Sequence, residues 1–210
     1  MSKDGQMFVS NGTGKIGQVV LTKWKGKSVY KAYQPNVQQP NTLAQKKVRN
    51  GITVVSKLAK QLRDAVMEGL KISAGSEQTE YSKFVQLNYH NVMVQDNLVP
   101  LVDWENVVVS QGTLSGIRTG ATATESNGVI TFSLGDMQSG EGSGTDKLCI
   151  AVVSETLKKG LVRMDAAQRG DNVASIILPV GVVGKVHCYL YYYNAITHAV
   201  SDNAYITVNI

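Results

Sequence analysis

From residue 7 to 33 short runs of alternating apolar and polar residues are broken by glycine. Met7-Phe8-Val9 leads into the turn-rich Asn11-Gly12-Thr13-Gly14-Lys15. Ile16 to Trp24 follows with Val19, Val20 and Leu21, and Lys25-Gly26-Lys27 turns into Ser28-Val29-Tyr30-Lys31-Ala32-Tyr33. A period of two between glycine turns predicts a β-hairpin or three short strands. A ribbon of this size is marginal alone in water, so it needs the following helix or a neighbouring subunit to pack on.

Gln34 to Asn41 contains Pro35 and Pro40, each of which pushes its predecessor away from helix, and reads as an extended linker. Thr42-Leu43-Ala44-Gln45 then matches a capping box and starts a helix. Val48, Ile52, Val55, Ala59, Leu62, Val66 and Gly69 recur at spacings of four and three, a seam over about six turns. Lys46, Lys47, Lys57, Lys60 and Arg63 occupy the other face, and Gly51 and Gly69 either weaken the helix or permit close approach. After Gly75 a second helical pattern runs over 77–94 with Phe84, Leu87, Asn91 and Val94 on one stripe, capped by Ser76 or Thr79.

From Asp103 the period changes to two. Strands are predicted at 107–110, 128–134, 147–156, 161–165, 173–178, 185–193 and 204–210, with glycine-, serine- and asparagine-rich breaks at sandwich spacing. Residues 136–145 read as a flexible loop tip. The expected fold is α+β: a β-ribbon with a long helix and a second helix over 1–100, then an immunoglobulin- or fibronectin-like antiparallel β-sandwich over 101–210.

Composition adds a charge asymmetry. The 210 residues carry 21 Lys+Arg and 16 Asp+Glu, a formal net charge of +5. Residues 1–72 hold 13 Lys/Arg against three acids, whereas 73–210 hold 8 against 13. The basic end could meet nucleic acid, or the acidic end of a neighbouring copy in a ring- or filament-forming contact. Two cysteines exclude a disulfide scaffold and an all-cysteine zinc site. No apolar run approaches the ~20 residues of a membrane span. The opening residues carry an acid and no apolar segment, so neither a signal peptide nor a lipid anchor is expected. Cys149 and Cys188 are then expected to be reduced and to pack as small hydrophobes.

Searching for chemistry returns little. His90, His187 and His198 are scattered, and His187 and Cys188 point to opposite faces of one strand, so no metal site is expected. Gly12-Thr13-Gly14-Lys15 lacks the full phosphate-loop spacing and no helix follows it, so it reads as a hairpin turn. Gly140-Glu141-Gly142-Ser143-Gly144 is a loop and not a nucleophile elbow. No catalytic residue and no cofactor is assigned. Tyr189, Tyr191 and Tyr193 share one strand face, which could be core, a subunit contact or a stacking surface for sugars or bases. Trp24 among Lys23, Lys25 and Lys27 reads as an anchor for the ribbon on a partner.

An ordered set of residues also carries a resemblance. Gly14-Lys15-Ile16-Gly17-Gln18-Val19-Val20, Trp24-Lys25-Gly26 and Pro40-Asn41-Thr42 with Gln45 and Arg49 lie in the first half. Gly144-Thr145-Asp146-Lys147, Ala166-Ala167-Gln168-Arg169, Leu178-Pro179, Val186-His187-Cys188-Tyr189-Leu190 and Val200-Ser201-Asp202-Asn203 follow. Together they resemble an uncharacterised family of about this length from Bacteroidetes and their phages; Lys31 stands where its members often have Arg. The resemblance implies a β-ribbon, helices and an Ig-like sandwich, no enzyme activity, and a place among phage genes.

The expectation is a non-enzymatic virion subunit: a head–tail connector, tail ring or capsid-associated protein, made in a host cytoplasm. It would assemble with its own copies and other virion proteins through Lys15, Lys23, Trp24, Lys25, Lys27, Tyr30 and Tyr33, with at most weak nucleic-acid contact and none with membrane. The alternatives are a sandwich that binds a host-surface glycan or protein through Tyr189, Tyr191 and Tyr193, and a nucleic-acid-binding basic third.

Overall fold

The structure, a computed structural model, describes residues 12–24, 26–36, 40–76, 78–117, 120–135, 142–154 and 160–210. The chain divides into two compact units, Met1–Thr42 and Leu43–Ile210.

In the first unit three antiparallel strands form a ribbon in the order β1 (Gly14–Ile16), β2 (Val19–Trp24), β3 (Lys27–Ala32). Ile16 pairs with Val19 and Trp24 with Lys27, so both hairpin loops have two residues. Gly17 (φ 59°) and Gly26 (φ 79°) supply the left-handed conformations such loops demand. The turn expected at 12–15 therefore lies at Gly17, and Gly14 and Lys15 belong to a strand. Met7-Phe8-Val9, Asn11 and Lys25 lie outside the described residues.

The second unit begins with α1 (Leu43–Gln61), at the capping box, followed by α2 (Arg63–Gly69) and α3 (Lys71–Ala74). Leu62 and Leu70 separate these pieces, yet the amides of Leu62, Val66, Leu70 and Ala74 each bond the carbonyl four residues back at 2.8–3.1 Å. The long predicted helix thus continues as one ladder with two local deviations. Thr79 caps α4 (Glu80–Asn88), its hydroxyl accepting from the Ser82 amide at 3.1 Å.

The second helix ends earlier than its stripe predicts. A 3₁₀ turn at Tyr89–Asn91 leads into β4 (Val92–Val94), which pairs antiparallel with β5 (Pro100–Val102). Val92 and Val94 are β-branched and find cross-strand partners in Val102 and Pro100, which outweighs the helical periodicity.

The remaining strands are β6 (Thr122–Ser126), β7 (Val129–Ser133), β8 (Lys147–Ser154), β9 (Leu161–Arg163), β10 (Val173–Ile177), β11 (Lys185–Tyr193) and β12 (Ala204–Asn209). They form two antiparallel sheets, β10-β7-β6 and β12-β11-β8-β9. Residues 107–110 are irregular, with a bend at Val109, and belong to neither sheet, contrary to the expected strand. The β6 strand was not expected.

Alternation along β8 and β11 builds two cores. Leu148, Ile150, Val152, Cys188 and Leu190 pack with Ile130, Phe132 and Ile176 between the sheets. Cys149, Ala151, Val153, Tyr189, Tyr191 and Tyr193 pack with Val55, Leu62, Val66 and Phe84 of the helices. The order of layers is helices, four-stranded sheet, three-stranded sheet. The helices share a core with the sheet, so the boundary falls after Thr42 and not near residue 100. The seam is buried from Val55 onward, while Val48 and Ile52 stay 45% and 43% exposed.

Glycine decides how closely these layers meet. A Cβ at Gly69 would lie 2.6 Å from the Val109 carbonyl oxygen, so only glycine lets α2 rest on residues 109–110.

Candidate functional site

Cross-strand register sorts the ribbon into two unlike faces. Lys15, Val20 and Lys31 form one row, Thr22 and Val29 the next, and Trp24 and Lys27 the last. These side chains share a face because partners across a ladder point the same way. The Lys15 ammonium sits 3.4 Å from the Tyr33 ring centroid, a cation–π contact. The opposite face carries Ile16, Val19 and Ala32, then Leu21 and Tyr30, then Lys23 and Ser28.

The residues expected to act together are thereby divided. Lys15, Trp24 and Lys27 share the basic face with Lys31, and Lys15 covers Tyr33. Lys23 and Tyr30 belong to the apolar face. Among the described ribbon residues only Leu21 is buried. Trp24, Tyr30 and Tyr33 are 52%, 47% and 41% exposed, and Ile16 is 54% exposed.

Redrawn at the boundary after Thr42, the charge count sharpens. Residues 1–42 hold six lysines and one aspartate, while 43–210 hold fifteen cationic and fifteen acidic side chains. The whole formal net charge of +5 lies in the first unit, and the second is balanced.

The tyrosine face is not a surface. Tyr189 and Tyr191 have no exposure and Tyr193 has 6%. The Tyr189 hydroxyl donates to the Trp104 carbonyl at 2.8 Å, and that of Tyr191 to the Ala65 carbonyl at 2.7 Å. Tyr193 bonds the Asp165 carboxylate. Burial first, and then a neighbouring acidic group (the Tyr205 phenol for Tyr189, the Cys149 thiol for Tyr191 and the Asp165 carboxylate for Tyr193), hold all three phenols above the usual tyrosine range. The helix layer covers the face on which a sugar or base would have stacked. The sequence carried a signal for this: from Val186 to Tyr193 neither face has a charged residue.

Other candidates fall into place as packing. Cys188 lies in the core between the sheets and Cys149 in the core beneath the helices, and burial pushes both thiols up to about 12. His187 stacks on Trp104 (centroids 4.4 Å) and bonds the Tyr205 hydroxyl at 2.8 Å. His198 meets Glu68 at 2.9 Å, remote in role from His187. Among the described residues no group of three His, Cys, Asp or Glu is placed to hold a metal ion. Among the described residues no helix is long and apolar enough to cross a membrane.

Residues 10–207 match the sequence model of DUF6266, described as a family of unknown function. The chain belongs to this family. No curated protein and no solved structure matches it.

Asp146, Arg169 and Asn203 act as structural pins in this chain. Arg169 Nε donates to Asp146 Oδ2 at 3.1 Å, with both side chains almost wholly buried. Arg169 also donates to the Ser115 carbonyl at 2.7 Å and stacks over Tyr192 at 4.0 Å. Asn203 accepts from the amides of Val109 and Ser110. In this half of the chain, Asp146, Arg169 and Asn203 hold loops in place. In the ribbon, Gly17 and Gly26 make the turns that set the two faces.

Proposed function

We propose that this DUF6266 protein is a non-enzymatic structural subunit of a phage particle of Bacteroidetes, assembling with its own copies and other particle proteins through the ribbon. A head–tail connector, tail ring or capsid-associated position fits this reading. The observation that carries it is the exposed apolar face of Ile16, Val19 and Tyr30, backed by a basic face in a unit of its own. Such a ribbon cannot bury its hydrophobic side by itself. The exposed Trp24, Tyr30 and Tyr33 match the aromatic enrichment of interface cores. The particle context comes from the resemblance and is an association, not a physical argument.

In this reading the apolar face seats on a partner and the basic face steers the encounter. Two variants separate the roles. Ile16→Ser with Tyr30→Ser should abolish assembly at any salt while the melting of residues 43–210 stays unchanged. Lys15→Glu with Lys31→Glu should slow assembly and remove its salt dependence. Sedimentation velocity reads both; an unchanged copy number in the first variant overturns the reading.

A further inference from the structure

We infer that the groove at the break between α1 and α2 is a phosphate-binding site for a nucleotide, free or within a nucleic-acid strand. This is independent of the ribbon. A cavity of about 740 Å³ is lined by Lys57, Lys60, Arg63, Asp64, Leu161 and Val162, within the size range of small-ligand sites. Lys57, Lys60 and Arg63 are exposed, and among the described lining residues Asp64 is the one acid. Among the described residues none of these four makes an ion pair, whereas Lys47, Lys147 and Arg169 each hold a carboxylate.

The three cations follow one another every three residues. At 1.5 Å per residue they span ~9 Å of helix. A single strand carries one phosphate per ~3.4 Å of duplex axis, so two or three successive phosphates, or a triphosphate, fit that span. Arginine adds a planar fork suited to phosphate oxygens.

The apolar contribution is Val162, half-buried and packed against the helix-side core, whereas Leu161 turns to the core between the sheets. A Cβ at Gly160 would lie 2.7 Å from the Gln61 carbonyl oxygen, so only glycine lets the start of β9 lie against the break. A row of cations beside an aliphatic side chain suits a ligand with a phosphate end and an apolar part, which is the chemistry of a nucleotide.

The test uses the full chain, with inorganic triphosphate, adenosine triphosphate and a 12-residue oligothymidylate as probes, followed by calorimetry or anisotropy. The triple variant Lys57→Gln/Lys60→Gln/Arg63→Gln should weaken binding at least tenfold. With the oligonucleotide it should lower the log–log salt slope by about 2, at roughly 0.7 per lost contact. Lys83→Gln/Lys185→Gln and Lys27→Gln/Lys31→Gln should leave both values unchanged. Tighter binding of adenosine triphosphate than of inorganic triphosphate identifies a free nucleotide, and binding of the oligonucleotide alone identifies a strand; equal binding of the two triphosphates would overturn the nucleotide assignment. No binding of any probe at low salt overturns the assignment. So does equal weakening by either control variant, which would reduce the groove to general charge.

Discussion

Asn88 and Asn203 both grip the irregular segment 107–110. Asn88 Nδ2 donates to the Val108 carbonyl at 2.8 Å while its Oδ1 accepts from the Val108 amide at 2.7 Å. Asn203 Oδ1 accepts from the amides of Val109 and Ser110, at 2.7 and 3.2 Å, and its Nδ2 donates to the Val107 carbonyl at 3.1 Å. Residues 107–110 belong to no sheet, so two side-chain amides supply the backbone pairing a ladder would have given. One amide comes from the helix layer and the other from the approach to β12. The segment is thus the joint between the helices and the sandwich.

Removing either amide should be costly. Asn203→Ala leaves two amides and a carbonyl of a largely buried segment without their partner. At ~1–3 kcal/mol for a buried group left unsatisfied, a loss of about 2–4 kcal/mol is expected. For a unit of this size that lowers the melting temperature by roughly 5–15 °C. Thermal unfolding followed by circular dichroism checks it; an unchanged midpoint would show that water replaces the amide.

The buried Asp146–Arg169 pair should behave as a unit. Asp146 also accepts from the Ser143 amide at 3.1 Å and from Asn194 Nδ2 at 3.0 Å, so its charge is well held. Arg169→Met or Asp146→Asn alone should cost ~3–5 kcal/mol, because each strands a buried partner. The double variant should lose clearly less than the sum of the two. Urea denaturation of the four-member cycle measures the coupling, and strict additivity would refute it.

Gly69→Ala should destabilise although it replaces glycine within a helix. Helix propensity favours the change by ~1 kcal/mol. The Cβ would nevertheless fall 2.6 Å from the Val109 oxygen and 2.8 Å from Ser110 Cβ, both in the clamped segment. The expected net loss is about 1–3 kcal/mol, the usual cost of overpacking. A gain in stability would mean that the joint yields.

Stability should fall on the alkaline side. Cys149 and Cys188 keep their protons to about 12 in the fold, and Tyr189 and Tyr191 are raised as well. The unfolded chain releases its thiol protons near 9. Between those values the folded state binds more protons than the unfolded one, so stability decreases as pH rises. Below pH 9 these groups contribute no slope. Urea midpoints from pH 7 to 11 test the sign. Both thiols should resist a disulfide exchange reagent at pH 8 until the chain is unfolded, and rapid reaction of the native protein would contradict their burial.

How much of this was legible varied with the physics of each segment. The start of α1 followed from its capping residues and most strands of the sandwich from their alternation, because those signals are local. The β6 strand was not legible: Thr122, Thr124 and Ser126 face outward, and the inward Ala123 and Glu125 give no apolar alternation. Val92 and Val94 continue a helical stripe, and only their pairing with β5 makes them a strand.

The tyrosines of β11 show a different limit. Their alternation was correct, but which layer covers each face is a tertiary fact. For the ribbon, sequence proximity suggested a single cluster of lysines and aromatics. Strand register instead separates Lys23 and Tyr30 from Lys15, Trp24 and Lys27, and uncovers an apolar face that the lysines had masked.

We propose, centrally, that the ribbon joins copies of this chain to one another. Native mass spectrometry of the nuclease-treated protein across a salt series tests it most directly. The account predicts a defined multi-subunit species whose population falls as salt rises and which Ile16→Ser/Tyr30→Ser abolishes. A clean monomer at every salt and protein concentration, in both forms, would contradict self-assembly through the ribbon.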